Sequence, residues 1–158
     1  MSGPIYPTNR MKKKLRDGDI VNGMVCASGS AAMIEIMGYT SRGLDYVVID
    51  ADHSSIPAEG NESVHLIRAA ELAGLTPLMR VRENNPTLIR KALDMGCHGI
   101  FGVHVESRED AQKVVDAVKY APVGHRSIGS GRHLGRHRYA LRTKEYVEYW
   151  NSESIVLF

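Results

Sequence analysis

Cysteine is nearly absent: Cys26 and Cys97 are the only two in 158 residues, far apart in sequence. Their separation fits neither a metal site nor a redox pair. It reads as two buried thiols in a reducing compartment. No apolar run approaches the roughly 18 residues that a membrane span requires. Residues 1–7 lack the apolar core of a secretory signal, so a cytoplasmic protein is expected. Charge of one sign is scarce as well. The formal net charge is +2, too small to argue by itself for a nucleic-acid or membrane surface. Low-complexity segments and obvious domain boundaries are missing too. The composition, 43% apolar and 24% charged, is that of an ordinary globular chain, here a single domain over 1–158.

The most informative stretch is 44–55, LDYVVIDADHSS. Residues 46–50 form an apolar, β-branched run without alternation, as in a strand buried on both faces. The run ends in Asp50, Asp52 and His53, followed by two serines. Parallel α/β folds place reactive groups at such strand ends.

The same unit recurs along the chain. Asn9 is placed to cap a short basic helix over 10–16, stopped at Asp17-Gly18. A first strand is expected over 19–27, with Gly23 inside it as a mark of close backbone approach. Ser28-Gly29-Ser30 opens a helix over 31–39. After the strand at 46–50 come a helix over 62–73 with Gly74 as its stop, and a strand over 76–82. Asn85-Pro86 supplies a cap and a first-turn proline for a helix over 87–95, stopped by Gly96. A strand over 99–105 follows. Ser107 to Asp110 resembles a capping box with Asp in the place of Glu or Gln, ahead of a helix over 111–120. A helical stretch over 143–150 and a strand starting at Ile155 close the chain.

Strands alternating with helices of this length imply parallel βαβ units with right-handed crossovers. Two architectures compete. A doubly wound sheet of five strands would be complete at this length. A (β/α)₈ barrel would not, since it takes about 200–250 residues. No glycine-rich nucleotide fingerprint follows the first strand, because Ser28-Gly29-Ser30 lacks the required spacing. The last strand is apolar with nothing to cover it, a poor place for a sheet to stop. The chain therefore reads as the first part of a larger fold.

Groups at the strand C-terminal ends converge on one face in either architecture. They are Asp50, Asp52 and His53, then Arg80 and Arg82, then His104 and Glu106. His53 beside carboxylates is a candidate general base. Arg80 is a candidate for holding a carboxylate or a developing enolate oxygen. The alternative for Arg80 is simple pairing with Asp50 or Asp52, and for His53 a surface loop position. Asp94 falls in the last turn of its helix, unfavourable for an anion near the negative end of the dipole.

Five features together resemble one enzyme family: Asp50-Ala51-Asp52-His53-Ser54, Arg80, Leu93-Asp94-Met95-Gly96, Pro122 to Ser127, and the fourteen-residue step from Arg80 to Asp94. The family is that of the class II pyruvate-dependent aldolases, including 4-hydroxy-2-oxoheptanedioate aldolase and 2-dehydro-3-deoxyglucarate aldolase. The likeness runs from Asn9 to Phe158. It implies a (β/α)₈ TIM barrel, of which this chain supplies about the first five strands. It implies a divalent metal, Mg, Mn or Co, that chelates pyruvate, and an oligomer, in the family often a hexamer. It assigns His53 as the catalytic base and Asp94 as the acid orienting it. Arg80 would lie on the pyruvate oxygens, with Asp50 and Asp52 beside them. The implied reaction is cleavage of a 2-oxo acid to pyruvate and an aldehyde, or the reverse. The family usually carries Glu directly before the histidine, where this chain has the shorter Asp52. Its metal ligands would fall beyond Phe158, so the 158-residue chain alone is expected to be inactive. A carbon–carbon bond-forming synthase of the same family, on an aldehyde or ketone acceptor, is the near alternative. A non-catalytic half-barrel that assembles with a partner is the distant one.

The segment 125–142 holds five arginines and three histidines among glycines. A nucleic-acid patch and a metal site from His125, His133 and His137 are both weaker readings than an active-site or subunit-contact loop. The segment has no set of aromatics to stack on bases, and Gly135 argues against a helix between the last two histidines.

Overall fold

The computed structural model describes residues 9–129 and 143–158. Five strands form one sheet, all parallel, in the order β1-β2-β3-β4-β5. They are β1 (Gly23–Cys26), β2 (Tyr46–Ala51), β3 (Thr76–Val81), β4 (Gly99–Phe101) and β5 (Ile155–Leu157). Helix α1 (Arg10–Asp17) precedes them. The crossovers carry α2 (Ala31–Thr40), α3 (Asn61–Leu72), α4 (Pro86–Met95), α5 (Arg108–Val118) and α6 (Thr143–Glu153). Spatial order follows chain order without reversal. A doubly wound sheet needs a reversal, the switch point where its ligands bind. Its absence among the described strands decides for the barrel type of winding.

That winding gives the sheet two unlike faces. Cys26, Val47, Ile49, Met79, Val81 and Ile100 point outward into one core with Ile34, Leu66, Ile67, Ile89, Leu93 and Val114 of the helices. The inner face carries Val48, Leu78 and Ile155, closed from below by Met11 of α1. Strand register stacks this face in layers, as barrel interiors require. Val48, Leu78, Gly99 and Ile155 share one layer. Asp50, Arg80, Phe101 and Leu157 share the next one up, toward the strand C-terminal ends. Gly23 is needed on this face. A Cβ there would lie 2.3 Å from the Tyr46 ring.

Most caps fall where the local sequence puts them. Asn9, Ser30, Asn85 and Ser107 accept from the first-turn amides of their helices. Two strands are shorter than expected. Residues 19–22 do not join β1. Asp19 donates to the Lys14 carbonyl at the end of α1, and Asn22 is bound to Asp45 through its amide at 3.0 Å and its carbonyl at 2.7 Å. β4 stops at Phe101 rather than 105, because the side chain of Asn84 takes both the amide and the carbonyl of Val103. His104 then turns out at φ 49°. Both cysteines are free and buried.

Candidate functional site

The strand-end groups of β2 and β3 meet in the upper inner layer. Asp50 is buried and works in two directions. Its carboxylate accepts from Arg80, Nε to Oδ1 at 2.9 Å and Nη2 to Oδ2 at 2.6 Å. Oδ1 also accepts from the backbone amides of Asp52 at 3.0 Å and His53 at 3.2 Å. This is an Asx-type turn, which bends the chain out of the strand and presents the next two side chains. The Ser54 hydroxyl reinforces it by donating to the Asp50 carbonyl and accepting from the Ile56 amide. The Arg80 guanidinium holds the Asp50 carboxyl at about 2, against the opposing effect of burial and with help from the two amides. Asp50 in turn holds the Arg80 guanidinium more firmly charged.

Arg80 is therefore paired as the simpler reading expected, yet only along one edge. Among the described residues its hydrogen bonds run through Nε and Nη2, which leaves Nη1 for a ligand. Its side chain is 22% exposed. His53 projects farther, with its side chain 75% exposed and Nε2 3.2 Å from Asp52 Oδ2. Asp52 also lies 3.9 Å from Arg80 Nε. The shorter carboxylate thus still reaches the imidazole. A cation edge, a carboxylate and a free imidazole nitrogen converge above β2 and β3. That set can bind an oxyanion and move one proton beside it. Arg82 and His104, at the other strand ends, stay exposed at the rim.

The structure does not bring Asp94 to this cluster. Helix α4 runs back from the C-terminal end of β3 to the N-terminal end of β4. Asp94 sits in the last turn of α4, and its contacts among the described residues lie elsewhere than at His53. There its Oδ1 accepts from Arg126 Nη2 at 2.9 Å. It also lines an open cavity of about 400 Å³ with Val64, Arg68, Lys91 and Met95. Arg126 is a partner that the sequence did not single out. It stands inside the Pro122 to Ser127 motif, but nothing in its neighbours signals that its side chain is 1% exposed.

Among the described residues no three His, Cys, Asp or Glu side chains are grouped to hold a metal ion. Asp50 is committed to Arg80, and Asp52 to His53. A divalent metal does not fit these residues. His133 and His137 lie outside the described residues, as does most of the basic segment 125–142.

A family model described as HpcH/HpaI aldolase/citrate lyase matches residues 22–157. A 2-dehydro-3,6-dideoxy-6-sulfogluconate aldolase of Pseudomonas putida is 34% identical over 110 residues, 70% of this chain and 42% of that protein. A 2-keto-3-deoxy-L-rhamnonate aldolase of Klebsiella pneumoniae is 30% identical over 150 residues, 95% of this chain and 54% of that protein. The solved HpcH/HpaI aldolase from Desulfitobacterium hafniense superposes with a TM-score of 0.82 at 27% identity, over 94% of this chain and 56% of the other. The citrate synthase SbnG superposes at 0.78 with 33% identity, again over 94% of this chain, and over 54% of the other. The chain spans about half the length of the relatives it matches.

Proposed function

The chain belongs to the HpcH/HpaI aldolase/citrate lyase family, and from that premise we propose that it forms the enolate-handling half of a 2-oxo acid aldolase. The observation that carries this reading is Arg80, anchored on buried Asp50 with its Nη1 edge open, beside His53. Pyruvate is the small acid of matching chemistry. Its carboxylate and keto oxygens suit a guanidinium edge. In the cleavage direction His53 accepts the proton of the substrate's 4-hydroxyl as the C3–C4 bond breaks. The bond pair becomes the pyruvate enolate, the other product is an aldehyde, and Arg80 offsets the charge on the enolate oxygen. Protonation at C3 then releases pyruvate.

The orienting role that the resemblance gives Asp94 would need its carboxylate beside His53, and the described contacts within one copy pair it with Arg126 instead. The proposed assembly is a homo-oligomer, a hexamer by the family resemblance. The divalent metal implied by the resemblance would be held by residues beyond Phe158. The likeness to a citrate synthase favours one second reading, carbon–carbon bond formation between the same enolate and a larger acceptor.

Exchange of the pyruvate methyl protons in D₂O, followed by NMR, tests enolate formation whatever the acceptor. The intact enzyme is expected to exchange them, and His53→Ala to slow exchange by about 100-fold or more with unchanged thermal stability. No exchange by the intact enzyme would exclude both readings.

A further inference from the structure

A groove between α4 and α5 collects positive charge that the fold does not spend. It has a volume of about 360 Å³ and is lined by Thr87 and Arg90 of α4, Lys113 and Asp116 of α5, and His125 and Arg126. None of Asp50, Asp52, His53 or Arg80 lines it. Arg90 is half-buried, and among the described residues no hydrogen bond or ion pair takes up its guanidinium. Lys113 has Asp110 as its partner, at 3.0 Å on the exposed face of its own helix. Such a pair is worth little and yields readily to a better acceptor. Arg126 stands in the wall as a buried cation, its side chain 1% exposed. Its Nη2 reaches Asp94 Oδ1 at 2.9 Å, while Nε and Nη1 have no hydrogen-bond partner among the described residues. Burying a guanidinium with donors unused costs stability, and its charge acts on the groove through a medium less polar than water. Asp116 is the carboxylate that opposes these cations, and it is engaged by its neighbours. Its Oδ1 accepts from Gln112 Nε2 at 2.9 Å, and its Oδ2 lies 3.8 Å from His125 Nδ1. The first amides of α4 are already taken by Asn85 Oδ1, so side chains rather than the helix terminus are left to hold a ligand.

We propose that this groove is a binding site for a small phosphate-bearing molecule, its phosphate taken up by Arg90 and Lys113 with the Thr87 hydroxyl beside them. The proposal goes beyond the aldolase reading and does not rest on it. The donors select the ligand. An arginine fork, an ammonium and a hydroxyl lining one groove match the three outward oxygens and near-double charge of a phosphate better than the two oxygens and single charge of a carboxylate. The volume lies near the lower end of the roughly 300–1,000 Å³ usual for small-molecule cavities, which leaves room beyond the phosphate for a body of a few carbons. An anion here answers the charge of Arg90 and adds a counter-charge near buried Arg126, which Asp116, held by Gln112 and His125, does not supply.

The probes are inorganic phosphate and malonate, each titrated calorimetrically into the intact enzyme with saturating pyruvate present, so that Arg80 is occupied. Phosphate is expected to bind with a Kd on the order of 1 mM, and malonate more weakly. Arg90→Gln should weaken phosphate about 10-fold and Lys113→Gln about 3-fold, and the two changes together should abolish binding. Asp116→Asn removes the opposing charge and should tighten binding about 3-fold. Lys113 is on the exposed face of α5, so Lys113→Gln keeps the test open should Arg90→Gln fold poorly. Methyl-proton exchange of pyruvate should be unchanged in both single variants, since neither residue belongs to the cluster around Arg80. No phosphate binding up to about 20 mM, an affinity unaltered by both single variants, or malonate bound as tightly as phosphate would each overturn the proposal. Each of these outcomes leaves the aldolase reading standing, because that reading is decided by pyruvate exchange alone.

Discussion

The two ends of the sheet use the same kinds of side chain for different ends. At the N-terminal end every named charge is spent on closure. Asp45 is buried and takes Lys14 at 2.8 Å and the Asn22 amide at 3.0 Å. Thr76 joins the Met11 amide to the Asn9 side chain, and Arg16 pairs with Glu153. Together these bonds seat α1 as a plug under Val48, Leu78 and Ile155. At the C-terminal end a similar acid–base pair, Asp50 with Arg80, leaves one guanidinium edge unspent and an exposed imidazole beside it. Both pairs are built around a buried aspartate. What separates them is the exposed imidazole of His53 held beside the upper pair by Asp52.

Arg80→Met breaks that comparison most severely. It strands Asp50 as a buried carboxylate, at a cost of about 3–5 kcal/mol, and on the proposed function it removes the oxyanion clamp, at a cost of about 100- to 1000-fold in kcat. Chemical denaturation and pyruvate exchange check the two effects separately. A variant that kept its kcat would make the upper pair structural, like the lower one.

The second test is acid. Asp50 titrates at about 2 in the fold and at 3.8 ordinarily. A depressed carboxyl contributes stability that is fully present above about pH 4 and is lost as pH falls toward 2, about 2 kcal/mol in all. Denaturation midpoints between pH 5 and pH 2 should show that loss, and Arg80→Met should flatten it. An equal acid slope in both proteins would remove Asp50 from the account.

The smallest effect sharpens the contrast from the other end. In Asp45, burial pushes the carboxyl up, but the Lys14 hydrogen bond and the Asn22 amide prevail and leave it below its ordinary value. Asp45→Asn should cost about 1 kcal/mol and leave kcat unaltered. A loss of activity in step with stability would mean that the two ends are coupled.

Much of the fold was legible because local rules and tertiary packing agree. Runs such as 46–50 and 76–81 have no polar face, so they read as parallel strands. Asn85-Pro86 and Gly96 mark where α4 starts and stops for reasons confined to a few residues. The errors came where a side chain far along the chain intervened. Asn84 ends β4 early, and Asp45 holds residue 22 out of β1. In the site, Asp50, Asp52, His53 and Arg80 could be gathered from their strand-end positions alone. Arg126 could not, because its meaning lies in burial and in which carboxylate it touches.

By itself, then, the sequence determined the alternation of strands and helices, the caps and the strand-end groups, since each depends on residues within one turn or one strand, and the family, through motifs spaced along the whole chain. Tertiary structure alone decided the strand order, which of two aspartates takes Arg80, and the pairing of Asp94 with Arg126. These depend on how segments tens of residues apart are brought side by side, and no local preference encodes that.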